Sequence, residues 1–207
     1  RMIELFTANT PNGKKISIML EEINYEYKIT KVNLNKDEQF KPEFRKKSPF
    51  SKIPVIFDHK NNLSLFESGA ILIYLGEKSG KFYDKGQRNI INQWLMVQMA
   101  YVGPMLGQHH QFHHYNSGKS EFGEKRYFKI AETIYKDLDE RLSKSKFLSG
   151  ENYTIADIAT FPWIARHEWH DIGLKRYYNL KRWYEEISKR EAVKKGYDLL
   201  KKGELIP

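Results

Sequence analysis

The sequence has no cysteine among its 207 residues. That absence excludes disulfides, thiolate metal centres and any catalytic thiol supplied by the chain itself. No apolar run approaches the length of a membrane span, and no basic-then-apolar leader opens the chain. Both absences predict a cytoplasmic protein with no membrane contact, in a compartment where small reduced thiols abound. Arg1 precedes Met2 and is set aside as a leftover of expression. Internal repeats, a low-complexity tail, a basic arm and nucleic-acid motifs are also missing. The formal charge of +9 favours anionic partners, from nucleic acid to small carboxylates. The lysines are nonetheless dispersed as pairs (Lys14-Lys15, Lys46-Lys47, Lys194-Lys195, Lys201-Lys202) among many acidic residues. Such a distribution reads as a solvated basic surface, so no nucleic-acid partner is expected.

What is present supports a real core: 40% of residues are hydrophobic and 14% aromatic. In the first eighty residues both hydrophobic periods occur. Ile3, Leu5 and Phe6 suggest a short buried strand, and Ile16, Met19, Leu20 and Ile23 recur with helical spacing. Tyr27 to Leu34 alternates as a second strand, and Pro42 to Lys47 fits a short helix with proline in its first turn. "IPVIFD" and "LSLFE" read as two strands joined across "HKNN". "SGAILIYLGEKSG" is a helix that stops at Gly80. The order is β-α-β-α-β-β-α, with the early strands parallel and the later pair antiparallel in a mixed four-stranded sheet.

Beyond about Gly86 the pattern is helical only. Ile91, Trp94, Leu95, Met99 and Val102 form one apolar stripe, Tyr127, Ile130, Ile134, Leu138 and Leu142 a second, and Leu180, Trp183, Tyr184 and Ile187 a third. Thr154-Ile155-Ala156-Asp157 has the form of a capping box. The expected organisation is an α/β domain over 2–80, a polar link over 81–87 and an all-α domain over 88–207.

Two features invite chemistry. "TANTPNGKKI" bends from strand to helix and carries hydroxyl and amide donors at Thr10 and Asn12, with Gly13 allowing close approach. Such donors at a helix start can stabilise a thiolate, although Thr-Pro-Asn-Gly also makes an ordinary turn and cap. The run His109, His110, His113 and His114 has i, i+4 pairs that suit metal ligands. No cysteine or carboxylate within the run completes such a site, so pocket lining or a dimer surface is preferred and no metal is expected.

A β-α-β-α-β-β-α domain followed by a helical domain resembles the cytosolic glutathione transferases, a thioredoxin-like domain plus a helical bundle. "SKIPVI", "FESGAILIYL" and "NYTIADIATFPW" resemble three of the family's motifs, and the resemblance covers almost the whole chain. "TPNGKKI" with "GPMLGQHHQFHH" looks like the bacterial Nu class, which has glutathione-dependent disulfide reductase activity. The resemblance implies a cis-proline at Pro54, with Ile53 presenting its backbone to the cysteinyl amide of glutathione. It implies that Glu67 accepts the γ-glutamyl ammonium while Ser68 and the adjoining helix N–H groups hold the carboxylate. Gln39 and Lys52 are candidates for the glycyl carboxylate, and Arg126 matches an arginine of the subgroup that binds a glutathione carboxylate. Thr10 and Asn12 are then the donors to the glutathione sulfur.

Because disulfide exchange needs three sulfurs in line and the chain supplies none, the expected reaction uses two glutathiones, or one oxidised glutathione, in each site. The alternatives are conjugation or peroxide reduction with a single glutathione, and a non-catalytic adaptor on the same fold. The family resemblance also implies a homodimer.

Overall fold

The computed structural model describes Met2 to Pro207. Its elements are β1 (Ile3–Thr7), α1 (Pro11–Glu22), β2 (Tyr27–Lys31), α2 (Pro42–Arg45), β3 (Val55–Asp58), β4 (Leu63–Phe66), α3 (Ser68–Ser79), α4 (Arg88–Val97), α5 (Gly103–His110), α6 (Glu121–Leu142), α7 (Ile155–Ile164), α8 (Tyr178–Ser188) and α9 (Glu191–Asp198). The chain divides into two compact units, one running to Tyr83 and including Lys189–Ile206, the other covering Asp84–Ser188 with Pro207. No helix among the described residues is long and apolar enough to cross a membrane.

In the first unit the sheet order is β2-β1-β3-β4. β1 and β2 pair in parallel, while β1 with β3 and β3 with β4 are antiparallel, as the pattern of the sequence requires. Alternation along β1 sorts its side chains. Ile3 and Leu5 are buried on one face, and Phe6 on the other packs with Val32, Phe44 and Val55. β2 is shorter than the alternation over 27–34 suggests. Asn33 Oδ1 accepts the N–H groups of Asn35 and Lys36 at 3.1 and 3.2 Å and turns the chain into a helical turn at Leu34–Lys36. The Ile53–Pro54 peptide bond is cis. α3 ends as expected, with Gly80 left-handed at φ 69° and its N–H bonded to the Gly76 carbonyl at 2.9 Å.

α1 is buried along nearly its whole length, from Gly13 to Leu20, because it packs against both α3 and α9. α9 therefore folds with the first unit, although its place in the sequence puts it in the stretch 88–207 read as helical domain. The fit is close. Ser17 Oγ donates to the Gly196 carbonyl at 2.7 Å, and a Cβ on Gly196 would lie 2.5 Å from Ile18 Cα. Lys14 is 2% exposed and Lys15 1%, so this pair is no part of the solvated surface assigned to it by composition.

In the second unit the first apolar stripe is interrupted. A π-helical turn at Gln98–Val102 lies between α4 and α5, so Ile91, Leu95 and Val102 are buried while Met99 is only half-buried. The capping box at α7 is present as read. Thr154 Oγ1 accepts the Ala156 N–H at 3.2 Å, and Asp157 Oδ2 accepts the Thr154 N–H at 2.9 Å. Asp157 Oδ1 also accepts from the Leu148 N–H and Trp183 Nε1, at 3.0 and 2.8 Å. One buried carboxylate thereby ties α7 to α8 and to the loop before α7.

Candidate functional site

Strand register decides which sequence-predicted residues meet. Thr7 pairs with Lys31, and Phe6, Val55 and Phe66 stand in one row across β1, β3 and β4. The chain leaving β1 toward Thr10 and Asn12, the chain entering β3 through Ile53 and Pro54, and the chain leaving β4 into Glu67 and Ser68 therefore emerge from the same end of the sheet. The segment bearing Gln39 follows β2 from that end as well. Arg126 is different: it is an exposed residue of α6 in the second unit, with its guanidinium 5.8 Å from the centre of the neighbouring Tyr127 ring.

Thr10 is the N-cap of α1. Its Oγ1 accepts the Gly13 N–H at 3.1 Å, which leaves the hydroxyl proton able to donate elsewhere. Its backbone N–H is engaged by the Ala8 carbonyl at 2.8 Å. Pro11 at the first helical position fixes the start of the helix without an N–H to satisfy. Asn12 follows, half-buried. Gly13 brings α1 hard against the end of β1, where an added Cβ would stand 2.2 Å from the Ala8 oxygen. Glycine is required at that approach.

At α3, Glu67 rather than Ser68 occupies the N-cap position. Its backbone has φ 73°, rare for a residue with a side chain, and that side chain makes no cap bond. Ser68 is the first helical residue and is buried. An uncapped helix start with an acid beside it offers N–H dipoles for a carboxylate and a carboxylate for an ammonium.

Sequence reasoning missed Lys15, whose Nζ donates to Ser68 Oγ at 3.1 Å from within the core. Burial pushes its ammonium down to about 7, against the opposing pull of the Glu67 charge. The available signal was its place one helical turn before the buried Met19, on a face that cannot reach water.

The loop before β3 is pinned by Ser48, whose Oγ donates to the Lys52 carbonyl at 2.7 Å and accepts the Lys52 N–H at 3.0 Å. The Lys52 side chain is exposed and Ile53 half-buried. Gln39 Nε2 lies 3.5 Å from the Leu34 carbonyl, while its buried Oε1 has no hydrogen-bond partner.

The histidines belong to the second unit. His109 and His110 are buried, and His110 Nε2 lies 2.7 Å from His170 Nε2, whose Nδ1 lies 2.6 Å from the Tyr135 hydroxyl. Burial, reinforced by Arg166, His109 and His114, holds His110 down at about 3, and burial likewise keeps His170 well below its ordinary range. Burial thus favours the neutral form of both rings. His113 and His114 are half-buried.

Residues 2–77 match the family "Glutathione S-transferase, N-terminal domain", and residues 101–191 match "Glutathione S-transferase, C-terminal domain". The chain is 45% identical to the disulfide-bond oxidoreductase YfcG of Escherichia coli, covering 97% of this chain and 95% of that protein. Among solved structures, a glutathione transferase of Burkholderia graminis with two glutathione molecules bound per subunit superposes with a TM-score of 0.91 and 36% identity, covering 98% of this chain and 90% of that one. A glutathione transferase of Pseudomonas putida with one glutathione disulfide bound per subunit gives a TM-score of 0.88 and 37% identity over 98% of this chain and 92% of that one.

Proposed function

The chain belongs to the glutathione S-transferase family, and from that membership we propose that it is a glutathione-dependent disulfide-bond oxidoreductase of the Nu type. The observation that carries the reading is the convergence, at one end of the sheet, of the Thr10 bend, the Ile53–Pro54 turn and the Glu67–Ser68 helix start, in a chain with no sulfur nucleophile. The first reacting thiol must come from glutathione. In this reading Glu67 takes the γ-glutamyl ammonium, and Ser68 with the start of α3 takes the carboxylate. The Ile53 backbone pairs with the cysteinyl amide, and Gln39 and Lys52 serve the glycyl end. Arg126 serves a glutathione carboxylate. The Thr10 hydroxyl and the Asn12 amide donate to the sulfur.

The thiolate of one glutathione attacks one sulfur of a small disulfide, forming a glutathione mixed disulfide and expelling the other half as a thiolate. A second glutathione thiolate then attacks the glutathione sulfur of that intermediate. Glutathione disulfide forms and the remaining substrate thiolate leaves, each thiolate taking up a proton from water. Two glutathiones are oxidised for one disulfide reduced. The protein's own contribution is thiolate stabilisation and alignment of the sulfurs. The reading also carries a cytoplasmic homodimer that needs no metal for this reaction.

The test combines binding and turnover. Calorimetry is expected to show glutathione binding, and a hydroxyalkyl disulfide is expected to be turned over faster than an aryl halide. Replacing Thr10 and Asn12 together with alanine should lower disulfide reduction by about a hundredfold or more, since two bonds to an anion are lost and each contributes roughly 1.5–3 kcal/mol. Unchanged turnover in that variant removes both residues from the mechanism. An aryl halide preferred over the disulfide favours conjugation. No binding at millimolar glutathione favours an adaptor.

A further inference from the structure

The histidine run lacks a carboxylate of its own, and the fold supplies one. His113 and His114 lie in a π-helical turn, Gln111–Tyr115, that continues α5. Asp171 comes 58 residues after His113 and stands in the left-handed region at φ 56°. Its Oδ2 lies 2.6 Å from His113 Nε2. His114 Nε2 is bonded to the Trp169 carbonyl. One donor atom from each of His113, His114 and Asp171 falls within 4.8 Å of the others.

Both rings are held in place by neighbours. His114 lies flat on Trp169, with centroids 4.2 Å apart and planes 7° from parallel. His113 stacks on His109 at 4.8 Å and leans on Phe128 at 5.4 Å. The carboxylate is the adjustable member, because the Asp171 side chain is 61% exposed. Two imidazole nitrogens and one carboxylate oxygen suit a borderline first-row cation. Magnesium and calcium prefer oxygen sets.

We propose that His113, His114 and Asp171 form a zinc-type divalent cation site that staples the π-helical turn to the loop after α7. Zinc bonds imidazole nitrogen and carboxylate oxygen at about 2.0–2.2 Å, so tetrahedral donors stand about 3.4 Å apart. The His113–Asp171 pair opens by less than about 1 Å to reach that spacing, and donors standing as far as 4.8 Å apart draw in by about 1.4 Å as one ring nitrogen of His114 turns to the metal. Each imidazole binds neutral, with its remaining proton on the other ring nitrogen. Water fills the fourth position.

The site is tested on the full chain, freed of metal by a chelator and without glutathione, by titrating zinc chloride in a calorimeter. One equivalent is expected to bind, and zinc should raise the melting temperature where magnesium chloride does not. Asp171→Asn and His113→Ala should each weaken zinc binding at least tenfold. His59→Ala, which alters a histidine beside Glu4 in the other unit, should leave it unchanged. Asparagine tolerates the left-handed backbone and keeps an acceptor for His113, so the Asp171→Asn chain should fold; its metal-free melting curve checks that. Absence of stoichiometric zinc binding, zinc binding unaltered in both variants, or an equal response to magnesium would overturn the site.

Discussion

Lys15 is a titratable group placed where stability argues against it. A lysine 1% exposed has given up nearly all its hydration, and burial accordingly pulls its ammonium down to about 7. Its Nζ meets Ser68 Oγ at the start of the helix assigned to the γ-glutamyl carboxylate. A carboxylate arriving there would favour the protonated lysine and a Ser68 hydroxyl turned toward the ligand. Lys15→Met should therefore hold or raise the melting temperature while lowering glutathione affinity by about tenfold, or about 1.4 kcal/mol, by calorimetry. A merely structural lysine would move the two measurements together. The reach of sequence reasoning differs between neighbours here. The Thr10 cap is legible because Thr-Pro-Asn-Gly has its own turn and cap chemistry. Lys15 shares the apolar face of Met19, which is legible locally, but the completeness of its burial is not, because α3 and α9, far away in sequence, enclose α1 from both sides.

Among the elements, α7 shows how a short motif specifies more than its own helix. The capping box announces where α7 starts, and the sequence carries that signal within four residues. What it does not carry is that Asp157 also receives the Leu148 N–H and the Trp183 indole. Asp157→Ala leaves three buried donors without an acceptor. It is expected to cost about 3–5 kcal/mol of unfolding free energy in urea, well beyond the ~1 kcal/mol of a lost cap. The same distinction runs through the fold. Strand order and the helix stop at Gly80 follow from local periodicity and turn chemistry. The attachment of α9 to the first unit depends on Gly196 meeting Ile18, and the pairing of Asp171 with His113 depends on a contact no periodicity encodes. The second strand ends before its alternation does: the apolar pattern continues through Val32 and Leu34, past the point where the Asn33 side chain turns the backbone.

At the scale of the whole molecule, the two units hold their titratable groups in opposite ways, and acid should separate them. In the second unit His110, held at about 3, and His170, held well below its usual range, are buried neutral; unfolding lets both take up protons below about 6.5. Their depressed values give stability that is complete above about 6.5 and is lost as pH falls. Asp157 works against them: burial outweighs its hydrogen bonds and raises it to about 6, so its part of the stability grows as pH falls toward the ordinary carboxylate range. His109 is lowered by burial as well, so three histidines against one aspartate leave a net uptake of protons on unfolding, and the second unit loses stability as pH falls below about 6.5. In the first unit, burial pushes Asp58 up, but bonds from Tyr74 at 2.6 Å and Lys78 at 2.9 Å outweigh it and hold the carboxyl at about 2. Its contribution stays intact above the ordinary carboxylate range and is lost only as pH falls through about 2. Amide hydrogen exchange, corrected for intrinsic rates, should therefore show α5 and α6 losing protection between pH 7 and pH 5 while β3 and β4 keep theirs. His110→Gln should flatten the slope in the second unit. Equal loss of protection in both units, or a slope unchanged by that substitution, would remove the buried histidines as its cause.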